Sequence, residues 1–230
     1  MNAESECTKR AIDIVGGAAG LALAAPILAL AACAIKLEDG GPILFRQERL
    51  GRGERRFEIL KLRTMTVDAE KLRSDGVVEA GDPRITRVGK FLRRTRLDEL
   101  PQFLNVLMGD MSIVGPRPER PELAEQLAMA IPYFEERMRD VKPGITGLAQ
   151  INLSYTGKPF PDSHLAKYEQ DLTNPFKMEG TEDALADHMR IKLLYDLAYS
   201  AATEELRTFL PLELSILVKT PLVMLRALGT

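Results

Sequence analysis

Apolar positions along the chain follow three different patterns. From Ile14 to Ile35 the sequence IVGGAAGLALAAPILALAACAI runs 22 residues without a charge, bounded by Asp13 and Lys36. About 20 apolar residues suffice for a helix to cross a hydrocarbon core of ~30 Å, so this run predicts a membrane helix. Pro26 sits near its middle, where the missing N–H removes a helical hydrogen bond and predicts a kink. At the other end, EELRTFLPLELSILVKTPLVMLRALG is apolar-rich but lacks an unbroken run and is punctuated by Pro211 and Pro221. Lys219 and Arg226, seven residues apart, fall about 20° apart around one continuous helix. Two readings stand for this segment: interfacial helices with basic residues toward headgroups, or a pair of core-packing helices. Between these ends, short apolar stretches alternate with turn signals. PILFRQERLG and RRFEILKLRTM predict two strands joined as a hairpin by Gly51 to Gly53. Helical periodicity is expected from Val67 to Leu72, Asp98 to Met108, Pro121 to Asp140 and Ala184 to Ala201, with no βαβ series and no dinucleotide glycine fingerprint.

Charge changes this picture in two ways. Lys9 and Arg10 precede the apolar run, and Lys36, Arg46, Arg49, Arg52, Arg55 and Arg56 follow it. Cytoplasmic flanks collect Lys and Arg, so basic residues on both sides favour a re-entrant helix that bends and returns over a straight span. A cleaved leader normally carries a shorter apolar region of roughly 7–15 residues. The formal net charge of −2 also hides an uneven distribution. Residues 46 to 96 hold 15 Lys/Arg against 8 Asp/Glu and predict an anionic partner, whether phosphate substrate, lipid headgroups or nucleic acid. Cys7 and Cys33 form no metal spacing, and His164 and His188 stand apart from each other, so neither a zinc site nor a disulfide framework is expected. At 230 residues the chain suits one globular core. The expected fold class is α+β and mainly helical: a re-entrant N-terminal membrane helix at 1–36, then one cytoplasmic-face domain at 37–230 with a small β-hairpin and interfacial amphipathic C-terminal helices.

The candidate chemistry lies in FLRRTRLDELPQFLNVLMGDMSIVGPRPE, Phe91 to Glu119. Arg93, Arg94 and Arg96 lead into the adjacent carboxylates Asp98 and Glu99, and Pro101 is acceptable in a first helical turn. Asp98 at or near the N-cap would meet free backbone N–H groups and the positive end of the helix dipole. The bland reading is a capping Asp, a solvated Glu and a charged face. The chemical reading is a carboxylate nucleophile at phosphorus, forming an acyl phosphate, with its neighbour left to hold Mg²⁺ together with substrate phosphate oxygens. Arg117, between Pro116 and Pro118, is preorganised for a phosphate contact.

At these residues the chain resembles the bacterial sugar transferase family, the monotopic phosphoglycosyl transferases that begin surface glycan assembly on undecaprenyl phosphate. The resemblance runs from Lys9 to about Arg226. It is carried in order by KRAID at Lys9 to Asp13, GPILFRQERLG at Gly41 to Gly51, FEILKLRTM at Phe57 to Met65, the long block from Asp82 to Glu119, and KPGITGLAQIN at Lys142 to Asn152. It implies a re-entrant helix with both ends cytoplasmic, at the bacterial inner membrane. It further implies that Asp98 attacks the sugar-bearing phosphorus of a UDP-sugar, releases UMP and holds the sugar phosphate until undecaprenyl phosphate accepts it. Glu99 is then the Mg²⁺ ligand or partner acid. Arg63, Arg87, Arg94, Arg117 and Glu119 are expected at the substrate phosphates and nucleotide, with Arg10 at lipid headgroups and Pro26 at the helix break. Asp82, Arg84, Gln102 and Asn105 are further candidates. One departure concerns the break, where the family often has Ser-Pro and this chain has Ala25-Pro26.

Two other classes of answer compete. A membrane-anchored nucleic-acid regulator has only the basic middle in its favour, without helix-turn-helix, zinc or stacking-aromatic patterns, so no nucleic-acid partner is expected. A nucleotide-sugar hydrolase using Asp98 and Glu99 is the alternative enzyme, and dependence of UMP release on the lipid acceptor separates the two. No residue pattern specifies the sugar, the glycan built or the oligomeric state, nor a role for residues 157–185.

Overall fold

The structure is a computed structural model that describes residues 1–67, 69, 82–153, 160 and 184–227, with residues 184–187 and 225–227 described for backbone only. Its first element is helix α1, Ala3–Asp39, opened by the Asn2 side chain accepting from the Ser5 N–H and closed by Gly40. Pro26 lies inside this helix. Buried positions on α1 are Ser5, Lys9, Asp13, Gly17, Ala24, Ala31 and Ile35, one stripe at spacings of four and seven. Small residues on that stripe let α1 lie close to the rest of the chain, so Gly17 meets Val106 and Leu107 while Gly20 meets the Phe103 ring. The opposite face is apolar and bare: Val15, Leu23, Leu30 and Leu37 are 70, 78, 74 and 87% exposed. Among the described residues, α1 is the one helix long and apolar enough to cross a membrane.

The hairpin forms as the alternation predicts. Strands β1, Leu44–Leu50, and β2, Arg56–Leu62, pair antiparallel with Gln47 opposite Ile59, joined through a 3₁₀ turn at Arg52–Glu54. Two strands alone are marginal in water and leave one edge of β2 unpaired. Asn105 supplies the missing partner. Fully buried, it accepts from the Leu60 N–H at 2.9 Å and donates to the Glu58 carbonyl at 2.7 Å, as a third strand would.

After β2 the chain turns at Met65, which bridges to Ile85, and enters helix α2, Arg87–Thr95. The sequence pattern misses α2 because a glycine and three arginines obscure its short apolar stripe. Leu92 and Val88 nevertheless pack against Ala31, Ile35 and Leu62. Gly89 is required there, since a Cβ would lie 2.0 Å from the Thr64 carbonyl oxygen. Helix α3 spans Gln102–Met108, strand β3 Ser112–Val114 and helix α4 Pro121–Ala130. The helix expected to continue to Asp140 stops at Ile131, because Pro132 disfavours helical backbone at the residue before it. The chain resumes as a 3₁₀ turn at Phe134–Met138.

Strand β4, Gly144–Thr146, then pairs with β3 in parallel, Ser112 against Gly144 and Val114 against Thr146. The expectation of no βαβ series holds among the described residues, where one minimal parallel pair exists with α4 in its crossover. Its three-residue strands are too short to leave an apolar run in the sequence. Gly115 and Gly144 face each other so closely that a Cβ on Gly144 would sit 2.1 Å from the Gly115 nitrogen. Short helix α5, Leu148–Asn152, follows, then α6, Ala184–Ala202, and α7, Leu206–Ala227, which continues through Pro211 and Pro221 on its exposed side. The core joins Val114, Val141, Ile151, Tyr199 and Ile216, with a second cluster of Leu127, Ile131, Phe134, Met189 and Leu193 between α4 and α6. Of the helix expected at 67–72, only residues 67 and 69 fall within the described residues, and most of the 157–185 segment lies outside them.

Both ends of α1 are fastened to this one body. Near its start, Asp13 accepts from the Ser112 hydroxyl at 2.8 Å and the Ile113 N–H at 2.9 Å. Lys9 pairs with Glu213 of α7, which also accepts from the Tyr199 hydroxyl at 3.1 Å. At its far end, Glu38 accepts from the Arg87 and Val88 N–H groups at 2.7 and 3.2 Å, and Asp39 pairs with Arg63.

Candidate active site

The acidic pair sits where two helices meet. Arg96 ends α2 in left-handed conformation, φ 58° and ψ 16°, and the chain passes into a 3₁₀ turn, Leu97–Glu99. Pro101 explains that turn. Without an N–H it cannot bond the Leu97 carbonyl as an α-helix would, and that carbonyl accepts from the Leu100 N–H at 3.3 Å instead. Helix α3 therefore starts at Gln102 with Pro101 as its uncapped N-terminal residue, not with Asp98 at its cap. The cap reading is thus corrected: Asp98 stands a turn earlier, presented by a tight bend.

Two adjacent carboxylates receive unequal partners. Lys61 of β2 reaches Glu99 Oε1 with its Nζ at 2.9 Å, and Arg117 Nη2 reaches the same oxygen at 3.2 Å. Burial pushes Glu99 upward, but Arg117 and Lys61 outweigh it and hold the carboxyl well below the usual carboxylate range. Among the described residues Asp98 makes no ion pair and no hydrogen bond to another side chain, its carboxylate meeting its own backbone N–H. Burial first, then the charge of Glu99, raises its carboxyl above the ordinary aspartate value, against the weaker pull of Lys61 and Arg93. One acid is a fixed anion in a salt-bridged cradle. The other is half-buried, unpaired and more basic.

Arg117 reaches Glu99 from a rigid segment. Pro116 and Pro118 have no N–H, so Pro116 to Glu119 is held largely through its carbonyls. The Pro116 carbonyl accepts from the Gly144 N–H at 2.9 Å, Arg117 from Arg137 Nη2 at 2.9 Å, Pro118 from Arg49 Nη1 at 3.3 Å, and Glu119 from the Leu50 N–H at 3.1 Å. Behind it, Glu119 lies 3.6 Å from Lys192 Nζ and 4.0 Å from Arg137 Nη1. Burial pushes Glu119 up, yet the cations around it, Lys192 foremost, hold it below its ordinary value. Asp196 takes Arg137 Nε at 2.8 Å, with burial raising its carboxyl despite that partner.

The residues singled out from sequence separate in space. Asp98, Glu99 and Arg117 come together, and Glu119 stands on the same segment as Arg117. The Arg63 guanidinium is engaged by Asp39 and the Pro42 carbonyl. Arg87 and Arg94 lie exposed on α2. Arg10 donates to the Val106 and Leu107 carbonyls at 2.7 and 2.8 Å, closing the C-terminal end of α3. Asp82 binds Arg84, and Asn105 completes β2. Sequence reading missed Lys61, Arg137, Lys192 and Asp196. Lys61 left a faint signal as a lysine between Leu60 and Leu62 in an apolar strand; the other three become meaningful only when α6 packs behind the proline-flanked segment. Among the described residues no cluster of three or more His, Cys, Asp or Glu could hold a metal unaided. The donor set at Asp98 and Glu99 does match the one or two carboxylates with which Mg²⁺ is commonly held beside substrate phosphates.

Over residues 4–227 the chain matches the family described as bacterial sugar transferase. It is 52% identical over 147 residues to a UDP-glucose:undecaprenyl-phosphate glucose-1-phosphate transferase of Caulobacter vibrioides, covering 62% of this chain and 53% of that one. It is 50% identical over 147 residues to the Escherichia coli protein of the same description, covering 63% and 31%. A UDP-N-acetylgalactosamine-undecaprenyl-phosphate N-acetylgalactosaminephosphotransferase of Aeromonas hydrophila is 42% identical over 164 residues, covering 71% and 38%. The matched segment thus spans about a third to a half of these relatives' length. With residues 4–227 of its 230 matched, this protein belongs to the bacterial sugar transferase family.

Proposed function

We propose that the chain transfers a sugar-1-phosphate from a UDP-sugar to undecaprenyl phosphate through a covalent intermediate on Asp98, giving undecaprenyl-diphosphate-sugar and UMP. The observation that carries this reading is the inequality of the acidic pair. A nucleophile needs an oxygen free of ion pairs, and Asp98 has none among the described residues, while Glu99 is neutralised by Lys61 and Arg117. In the first step an Asp98 carboxylate oxygen attacks the sugar-bearing phosphorus, and the phosphoanhydride bond to UMP breaks with its electron pair leaving on UMP. In the second, an oxygen of undecaprenyl phosphate attacks the same phosphorus, the acyl phosphate bond breaks, and the Asp98 carboxylate is restored. Raised basicity makes Asp98 the better nucleophile provided it is ionised. Lys61 and Arg117 set positive charge where the diphosphate's negative charge would otherwise be repelled by Glu99. Mg²⁺ held by Glu99 and the substrate would supply further neutralisation of the diphosphate.

The membrane reading belongs to the same proposal. Because one body binds both ends of α1, through Asp13 and Lys9 at the start and Glu38 and Asp39 at the finish, both ends belong on one side of a bilayer. That supports a re-entrant helix with its apolar face in lipid, bent at Pro26, at the cytoplasmic face of the inner membrane. The acceptor phosphate would then meet Asp98 at the headgroup level.

UMP release from a panel of UDP-sugars by detergent-solubilised protein, with Mg²⁺ and with or without undecaprenyl phosphate, tests the reading. Turnover that requires the lipid supports it and names the sugar. Equal release without lipid indicates a hydrolase, and no release with any sugar refutes the assignment.

A further inference from the structure

Arg117 is the group that ties Glu99 to the proline-flanked segment, and what fixes its backbone is an ion pair from elsewhere in the chain. Arg137 Nη2 donates to the Arg117 carbonyl at 2.9 Å, and the same guanidinium is gripped by Asp196 of α6 at 2.7–2.8 Å. Both side chains are 2% exposed. The other three carbonyls of Pro116 to Glu119 accept from two backbone N–H groups and from Arg49. Thus the carbonyl of the very residue that reaches Glu99 depends on a buried cation whose two closest ion-pair contacts are to Asp196, with Glu119 farther off at 4.0 Å and the Phe134 ring 5.0 Å beneath it. A guanidinium is planar and its donors are set at fixed angles, so bonding Asp196 through Nε and Nη2 determines where Nη2 points.

From this geometry we infer that Asp196 and Arg137 are positioning residues for the transfer reaction, acting on Glu99 and the substrate through Arg117. The chain of contact runs from α6 to Arg137, to the Arg117 carbonyl, to the Arg117 guanidinium, to Glu99. Neither residue touches the acidic pair. Their effect is on where the Arg117 charge stands, and a displacement of about 1 Å at a catalytic contact can cost on the order of 100-fold in rate. This inference rests on the proposed reaction for its kinetic part only.

The experiment is a double-mutant cycle read alongside amide exchange. Asp196→Asn keeps the volume and can still accept a hydrogen bond but lacks the charge; Arg137→Lys keeps the charge but cannot bond Asp196 and the Arg117 carbonyl in the same plane. Each is measured alone and combined with Arg117→Ala, for kcat and KM of UMP release in detergent micelles containing undecaprenyl phosphate. Acting through Arg117, Asp196→Asn lowers kcat about 10- to 100-fold in the otherwise unaltered chain and has little further effect when Arg117 is already alanine. A purely structural role predicts the same fold-loss in both backgrounds, and that result overturns the inference. Hydrogen exchange at the Leu50 and Gly144 amides, which bond the Glu119 and Pro116 carbonyls of the segment that carries Arg117, is followed without substrate. Faster exchange there in Asp196→Asn and Arg137→Lys, with the α1 amides unchanged, supports the clamp; unchanged exchange at both refutes it even if the chain proves to catalyse another reaction. Absence of turnover in the unaltered chain would count against the proposed function alone.

Discussion

Replacing Asn105 with alanine tests how the fold holds the site. Its carboxamide is fully buried and stands in for a strand beside β2, accepting from the Leu60 N–H and donating to the Glu58 carbonyl. Alanine leaves both backbone groups without partners in a site closed to water. Each such loss costs about 1–3 kcal/mol, so the pair amounts to roughly 2–6 kcal/mol. That is a large share of the 5–15 kcal/mol typical of a folded domain. At about 2–4 °C per kcal/mol for a chain of this size, the melting temperature should fall by roughly 4–24 °C. Circular dichroism melting of detergent-solubilised protein measures it. Because Leu60 adjoins Lys61, turnover should also drop at temperatures well below melting, as the Lys61–Glu99 contact loses its fixed strand. A shift under 2 °C with undiminished turnover would show that β2 does not depend on Asn105, and the account of the hairpin would fail.

Asp98→Asn removes the proposed nucleophile at nearly constant volume, so UMP release should vanish while melting temperature and membrane association stay near those of the unaltered chain; retained turnover refutes the covalent route. The pH profile gives a second handle. The Asp98 carboxyl lies above its ordinary value of 3.8, raised by burial and then by Glu99, and attack requires the ionised form, so activity is present above the folded-state pKa and lost as pH falls through it. Glu99→Gln removes one raising influence, and the acid limb of its weaker residual activity should move to lower pH; an unmoved or higher limb contradicts the assigned coupling. Gly89→Ala places a Cβ 2.0 Å from the Thr64 carbonyl oxygen, backbone against backbone, and should destabilise by about 1–3 kcal/mol or more, read as a lowered melting temperature. Lys61→Met should lower kcat more than stability, because Glu99 would keep Arg117 but lose its second cation; equal kinetics would remove Lys61 from the site.

What the sequence determined by itself was whatever depends on composition over a continuous stretch. Twenty-two uncharged residues make a helix long and apolar enough to cross a membrane, alternation around Gly51 to Gly53 makes a hairpin, and an acidic pair among arginines before a proline marks a candidate site. The motif blocks marked the family, because they are contiguous. Tertiary structure decided the identity of partners. Nothing in the spacing says that Lys61 and Arg117, 56 positions apart, share one oxygen of Glu99, or which residues hold the two ends of α1. The glycines of GPRP and PGITG look like turn residues in sequence, yet Gly115 and Gly144 are required because two backbones touch. Asp98 was legible as a candidate acid among arginines, but its place outside the α3 cap followed from one missing N–H at Pro101. Asp196 and Arg137 left no trace in local pattern, since burying an ion pair depends on what packs over it, and that is a property of the assembled fold.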